Sequence, residues 1–193
     1  MVEKRPAADT VTALSDSALL VRLQQGDEAS FETLFYRHYD RVYGLLFRLL
    51  GNRGEAEDAA QEVFLTLYRQ RFRTGREHNV SAWLYRVAMN TGYNTLRGRR
   101  RRWQRNRVLL PDATDAPVDP AERVGQVETR ALVRATLSRL QPRQTQLLLL
   151  RQMGLSYAEL AEACDVAPGS VGTLLSRAAA AFRQAYDQEK QGP

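Results

Sequence analysis

Two stretches of the chain carry side chains whose types and spacing suit nucleic-acid chemistry. In 83–107, Arg86, Asn90, Tyr93 and Arg97 stand at i, i+4, i+7 and i+11 and so share one face of a helix. A guanidinium holds phosphate, a carboxamide both donates and accepts at base edges, and a phenol ring offers a face for an unpaired base. Arginines continue past the stripe through Arg99, Arg100, Arg101, Arg102, Arg105 and Arg107. A run of like charge also describes a solvated tail, but the interleaved Trp103 favours nucleic acid. In the last helical pattern, Val171, Leu174, Leu175, Ala178 and Phe182 take one side and leave Ser170, Thr173, Ser176 and Arg177 on the other. These four lie near its N-terminal half, where a recognition helix carries the residues that reach base edges. A third set has the opposite sign. Asp58, Gln61 and Glu62, with Arg69, form the outer side of a helical pattern over 55–70. Carboxylates repel phosphates, so this side suits a contact other than DNA, although a solvated face with acids in its first turns reads the same way.

The elements that must position these groups are all helical. Residues 1–14 have no period and read as a disordered leader. Ser15 can cap a short helix carrying Leu19, Leu20 and Leu23, with Gly26 at its end. Asp27 opens a long core helix whose apolar face holds Phe31, Leu34, Phe35, Val42, Leu45, Leu46 and Leu49 and stops at Gly51. His38 lies on that face, where a buried, hydrogen-bonded histidine is expected rather than a ligand or a base. Ala59, Ala60, Val63, Phe64 and Leu67 form the buried side of the next helix, and 71–80 reads as a loop. The segment PDATDAPVDPAE has the composition of an extended linker, placed at 108–123. Beyond it Pro142 suits the first turn of a helix that Gly154 ends, and Ser156 with Glu159 fits a capping box. A turn at Cys164, Asp165 and Val166 then leads to a new start at Ala167 and Pro168, which makes a helix-turn-helix. A plain helical hairpin has the same apolar spacing. The expected fold is therefore all-α, with two small helical domains, 15–107 and 124–188, joined by a flexible acidic linker.

Composition narrows the partners. The chain has 193 residues, 44% of them hydrophobic, a formal charge of +6 and a pI near 9.8, which suits a polyanion. No apolar run approaches the roughly 20 residues of a membrane span, and the N-terminus lacks the apolar centre of a signal peptide, so a cytoplasmic protein without membrane insertion is expected. Cys164 is the only cysteine and there are two histidines, so no disulfide, metal site or cofactor is expected.

With those residues in view, the chain resembles the extracytoplasmic-function sigma factors, the two-domain bacterial transcription initiation subunits of the sigma-70 superfamily. GEAEDAAQEVFLTLYR at 54–69 is similar to the family's helix that docks on the clamp of RNA polymerase. WLYRVAMNTGYNTLR at 83–97 is similar to its helix that captures the melted minus-ten element. LQPRQTQLLLLRQMGLSYAELAEACDVAPGSVGTLLSRA at 140–178 is similar to its minus-thirty-five reading domain. The resemblance covers nearly the whole chain, from Ser15 to about Tyr186.

It implies a non-enzymatic alternative sigma factor that binds core RNA polymerase, directs it to specific promoters and stabilises their melting. Asp58, Gln61 and Glu62 become the polymerase contact. Arg73, His78 and Asn79 fall in a specificity loop that pockets a base flipped out of the non-template strand, with Arg86 and Asn90 beside it and Tyr93, Arg97 and Arg100 completing the minus-ten surface. Ser156 and Tyr157 match a phosphate-contacting helix start, and Ser170, Thr173, Ser176 and Arg177 are the minus-thirty-five readers. The partners are core polymerase, promoter DNA as duplex and as melted strand, and an anti-sigma factor, in the cytoplasm at the nucleoid. One departure is Gly172 with Leu174, where family members often carry basic residues beside the central serine or threonine of the recognition helix. That predicts weaker duplex contact, for which the arginine block can compensate through the phosphate backbone. The alternatives are a stand-alone helix-turn-helix regulator, which leaves the acidic face unexplained, and a small nuclease, for which no metal or acid-base set is placed.

Overall fold

The computed structural model describes residues 14–72, 79–106 and 124–191. The leader up to Ala13, Arg73, His78 and the linker lie outside the described residues. Those described form helices with no strand among them.

Local signals set most helix ends. Ser15 is extended, and its hydroxyl accepts the Ala18 N–H at 3.3 Å to open α1, Asp16–Gln24. Gly26, at φ +92°, turns the chain into Asp27, whose carboxylate accepts Ala29 N–H at 3.2 Å and Ser30 O–H at 2.8 Å at the head of α2, Glu28–Leu50. Asn52 then caps α3, Arg53–Arg69, by accepting Glu55 N–H at 2.9 Å. The helix thus begins two residues before the expected Glu55, because the cap is Asn52 and the chain continues through Gly54 without a break. Asn79 heads α4, Val80–Asn106, with its side-chain oxygen accepting Ala82 N–H at 3.0 Å.

In the second half, α5 spans Val124–Arg139 and α6 Pro142–Gln152, with proline in its first turn. The Ser156 hydroxyl and the Glu159 carboxylate cap α7, Tyr157–Cys164, reciprocally. Asp165, at φ +53°, makes the tight turn, and a single 3-10 turn, Pro168–Ser170, leads into α8, Val171–Gln191.

α2, α3 and α4 pack on one another with α1 across α2, while α5, α6 and α7 pack about α8. In the first group Leu34, Val42, Leu45, Leu46, Val63, Phe64, Leu67 and Leu84 are buried, each contributing about 1.5–3 kcal/mol by leaving water. Gly92 lets α4 approach α2 closely, since a Cβ there would stand 2.6 Å from Leu49 Cδ2. His38 is buried, and its Nε2–H donates to the Asp16 carboxylate at 2.7 Å, fastening α1 to α2. Burial alone would raise the Asp16 pKa, but hydrogen bonds from His38 and Arg37 outweigh it and hold the carboxyl below its ordinary value. Cys164 is a packed core residue whose thiol burial pushes up to about 11, out of reach of thiolate chemistry at neutral pH.

The two groups also meet. α6 and α7 lie against α4, and α6 touches α2.

Candidate nucleic-acid and polymerase interfaces

The acidic stripe stands on the side of α3 opposite its buried alanines, where Asp58, Gln61 and Glu62 are all exposed. Their side chains make no hydrogen bond or ion pair among the described residues. Glu55 and Glu57, on the same helix, are engaged instead: Glu57 with Arg53 at 3.0 Å, and Glu55 with Arg99 at 3.2 Å and Arg102 at 3.7 Å. Leu65, 45% exposed, and Tyr68, 49% exposed, continue the face one and two turns on. The sequence reading placed neither on the buried side and gave neither a role. Leu65 lies one turn beyond Gln61 and Glu62, and that spacing was the available signal.

On α4 the stripe divides. Arg86, Asn90, Arg97 and Arg100 are exposed, with Arg97 donating to the Asn94 side-chain oxygen. Asn94, Arg97, Arg100, Arg101 and Gln104 line a shallow polar cleft of about 450 Å³, suited to a phosphodiester backbone. Asn94 and Gln104 were not anticipated, although the row 90, 94, 97, 101, 104 follows helical spacing. Tyr93 departs from the expected free ring. It is half-buried, its hydroxyl donates to the Pro142 carbonyl at 2.9 Å, and burial pushes the phenol up with Thr145 opposing. The reason is tertiary, since α6 lies on that flank of α4.

The arginine block divides in the same way. Arg99 turns back to donate to the Leu50 carbonyl at 3.3 Å and to Glu55, and Arg102 joins Glu55, so these two tie α4 to the α2–α3 corner. They stand three residues apart and share a face, while Arg100 and Arg101 point elsewhere.

A second cleft, about 260 Å³, opens where α4 begins. Gln70, Arg71, Phe72, Asn79, Trp83 and Arg86 line it together with Glu162 of α7. Phe72 meets the Trp83 ring edge-on at 5.2 Å, so the wall beside Asn79 and Arg86 is aromatic. Arg73 and His78 lie outside the described residues. Gln70, Arg71, Phe72, Trp83 and Glu162 are lining residues that the sequence reading left unassigned; for Phe72 and Trp83, positions flanking the loop were the clue.

The helix-turn-helix presents its residues openly. Thr173, Ser176 and Arg177 are exposed on the outer face of α8, with Val171 and Ala178 buried beneath, and Ser170 is exposed at the end of the 3-10 turn that leads into it. Ser156 and Tyr157 are exposed at the head of α7. The Ser156 N–H and hydroxyl donate to Glu159 at 2.7 and 2.8 Å, and those bonds hold the Glu159 carboxyl below its ordinary pKa. The Arg151 guanidinium lies 5.6 Å from the Tyr157 ring centroid. Gly172 faces that ring, and a Cβ there would meet Tyr157 Cε2 at 3.6 Å, an ordinary contact.

Comparison with known proteins follows the same division. Residues 34–102 match the family Sigma-70 region 2, and residues 130–182 match Sigma-70, region 4. The chain is 33% identical over 174 residues to the ECF RNA polymerase sigma-E factor of Haemophilus influenzae, covering 86% of this chain and 92% of that one. It is 31% identical over 190 residues to the RNA polymerase sigma-H factor of Pseudomonas aeruginosa, covering 94% and 96%. Among solved structures it shares its fold with CnrH in complex with the cytosolic domain of CnrY, at a TM-score of 0.62 and 20% identity over 89% of this chain and 97% of that chain. The sigma factor RpoE in complex with the anti-sigma factor NepR from Bartonella quintana gives a TM-score of 0.58 and 20% identity over 81% and 96%. With both regions matched in order and such identity along nearly its whole length, the chain belongs to the ECF RNA polymerase sigma factors of the sigma-70 superfamily.

Proposed function

We propose that this chain binds core RNA polymerase, directs it to specific promoters and stabilises their melting, while polymerase does the chemistry. The observation that carries this reading is the pairing of two surfaces on one helical group. An acidic stripe on α3, unpaired among the described residues, is useless to DNA, and a cationic, amide-bearing stripe stands on the adjacent α4. A stand-alone DNA-binding regulator has no use for the first.

In this reading 15–107 is the polymerase and minus-ten unit, 108–123 the linker and 124–188 the minus-thirty-five unit. Asp58, Gln61 and Glu62 dock on polymerase, with Leu65 and Tyr68 supplying apolar area beside them. Asn79, Arg86, Asn90, Tyr93, Arg97 and Arg100, with Arg73 and His78, hold the melted strand, and the aromatic wall of Phe72 and Trp83 suits a flipped base. Ser156, Tyr157, Ser170, Thr173, Ser176 and Arg177 face duplex DNA. An anti-sigma factor restrains the chain in the cytoplasm, as the pairing of related folds with such inhibitors suggests.

The test is to add purified chain to core polymerase and sequence the 5′ ends of the transcripts from genomic DNA. Starts at a defined promoter set are expected. Asp58→Lys with Glu62→Lys should abolish polymerase pull-down and those starts without lowering the melting temperature. Starts indistinguishable from core polymerase alone would end the reading.

A further inference from the structure

One cleft takes no part in the surfaces assigned to polymerase or DNA. It holds about 590 Å³ between α2 on one side and α5, α6 and α8 on the other. Phe47 lines it from α2, Val133 and Leu137 from α5, Leu148 and Leu149 from α6, and Phe182 from α8. Leu137 and Leu149 are buried and the other four only half-buried, so apolar surface that these helices could have shared stays open between them. Unfilled apolar volume forfeits packing attraction, which a ligand of the right shape restores.

The charged lining is of one sign. Arg48, Arg130 and Arg134 border the cleft, and no carboxylate stands among its lining residues. Arg139, further along α5, is paired with Glu189 of α8, whereas Arg48 and Arg134 have no hydrogen bond or ion pair among the described residues. The Arg134 side chain lies over Gly51, where an added Cβ would stand 2.7 Å from its Cδ and Nε. The C-terminus of α2 at that point favours one cation, not three. Arg134 is half-buried, and burial together with the like charge of Arg130 draws its pKa below the ordinary value. A bound anion would offset both.

We propose that this cleft binds a small amphiphilic anion, a long-chain carboxylate whose head pairs with Arg48 and Arg134 and whose tail lies along Phe47, Leu148 and Phe182. Guanidinium meets carboxylate in a planar, bidentate way. The volume falls within the roughly 300–1,000 Å³ of small-molecule sites. A protein helix, about 10–12 Å across, would fill it in about one turn, too short a contact to hold a peptide. Because the walls come from both helical groups, an occupied cleft ties α2 to α5 and α8 and stabilises the folded chain by mass action. The site stands apart from the proposed function, and neither depends on the other.

The experiment titrates the full-length chain with dodecanoate below its micelle concentration, followed by calorimetry and by thermal melts. One dodecanoate per chain is expected, with a melting temperature that rises with its concentration. Octanoate, four methylenes shorter, should bind about 100-fold more weakly. Dodecanol, which lacks the charge, should bind about tenfold more weakly, and so should dodecanoate to Arg48→Gln or Arg134→Gln. Leu148→Trp fills the cleft and should abolish binding. Arg69→Gln, an exposed arginine on α3 outside the cleft, should change affinity by less than about twofold. Arg48 is exposed, so its variant keeps the comparison sound even where Arg134→Gln or Leu148→Trp fails to fold. Equal affinity of the parent and Arg48→Gln, equal affinity of dodecanol and dodecanoate, or several dodecanoates per chain would overturn the site. So would binding seen only with phosphatidylglycerol vesicles, which would assign the arginines to a membrane surface instead.

Discussion

The two surfaces proposed to bind nucleic acid are built alike and presented differently. Each is the outer face of a helix whose inner face packs in a small core, and each mixes arginine with short polar side chains. On α8 and the turn that leads into it, Ser170, Thr173, Ser176 and Arg177 all stand in solvent. On α4, Tyr93 is tied to Pro142 and the neighbouring Asn79 to Glu162, both from the other group. Composition decides what a surface can bind, and packing decides whether it is offered.

The largest effect that separates the surfaces is expected from Arg86→Ala with Asn90→Ala. Oligonucleotide binding should weaken about 100-fold, because each contact to a base or phosphate carries roughly 1–3 kcal/mol. Binding of minus-thirty-five duplex, followed by fluorescence anisotropy, should stay within about twofold of the parent. The mirror pair, Thr173→Ala with Arg177→Ala, should weaken duplex binding about tenfold and leave the oligonucleotide alone. If either pair lowers both affinities equally, the division of labour fails.

Two glycines sharpen the contrast between a sealed seam and an open face. Gly92→Ala should lower stability by about 1–3 kcal/mol in thermal melts, since its Cβ would push on Leu49 between α4 and α2. Gly172→Ala should raise it by up to about 1 kcal/mol, because a Cβ there meets only the Tyr157 ring at ordinary distance. Gly172→Lys should further strengthen duplex binding and steepen its salt dependence.

The smallest effect concerns α1. Asp16 has a folded pKa held below 3.8, so its stabilising contribution is present above that value and fades as pH falls through the folded one. Asp16→Asn should lower stability by about 1 kcal/mol at pH 7, allowing for solvent screening, and by nearly nothing once the parent carboxyl is protonated. Melting curves across the acid range check this.

Much of the scaffold was legible residue by residue. Ser15, Asp27, Gly51, Pro142, Ser156 and Gly154 mark helix ends where expected, because a cap or a left-handed turn depends on neighbours within a few residues. The inward faces of α2 and α3 follow directly from apolar spacing, as do the outward acids of α3 and the outward polar residues of α8. His38 has its hydrogen bond, though its partner, Asp16, could not have been named from periodicity.

What the sequence determined by itself was thus the helices, their inward faces and the chemistry of each outward face, all governed by spacing of a few residues. What only the tertiary structure decided was which groups on those faces are free. Arg99 and Arg102 turn back to Glu55, Tyr93 reaches Pro142 and Asn79 meets Glu162, across separations of some 40 to 80 positions in the chain. No local pattern encodes such a meeting, because it arises when units that fold on short-range information are brought together and bury one another's polar groups.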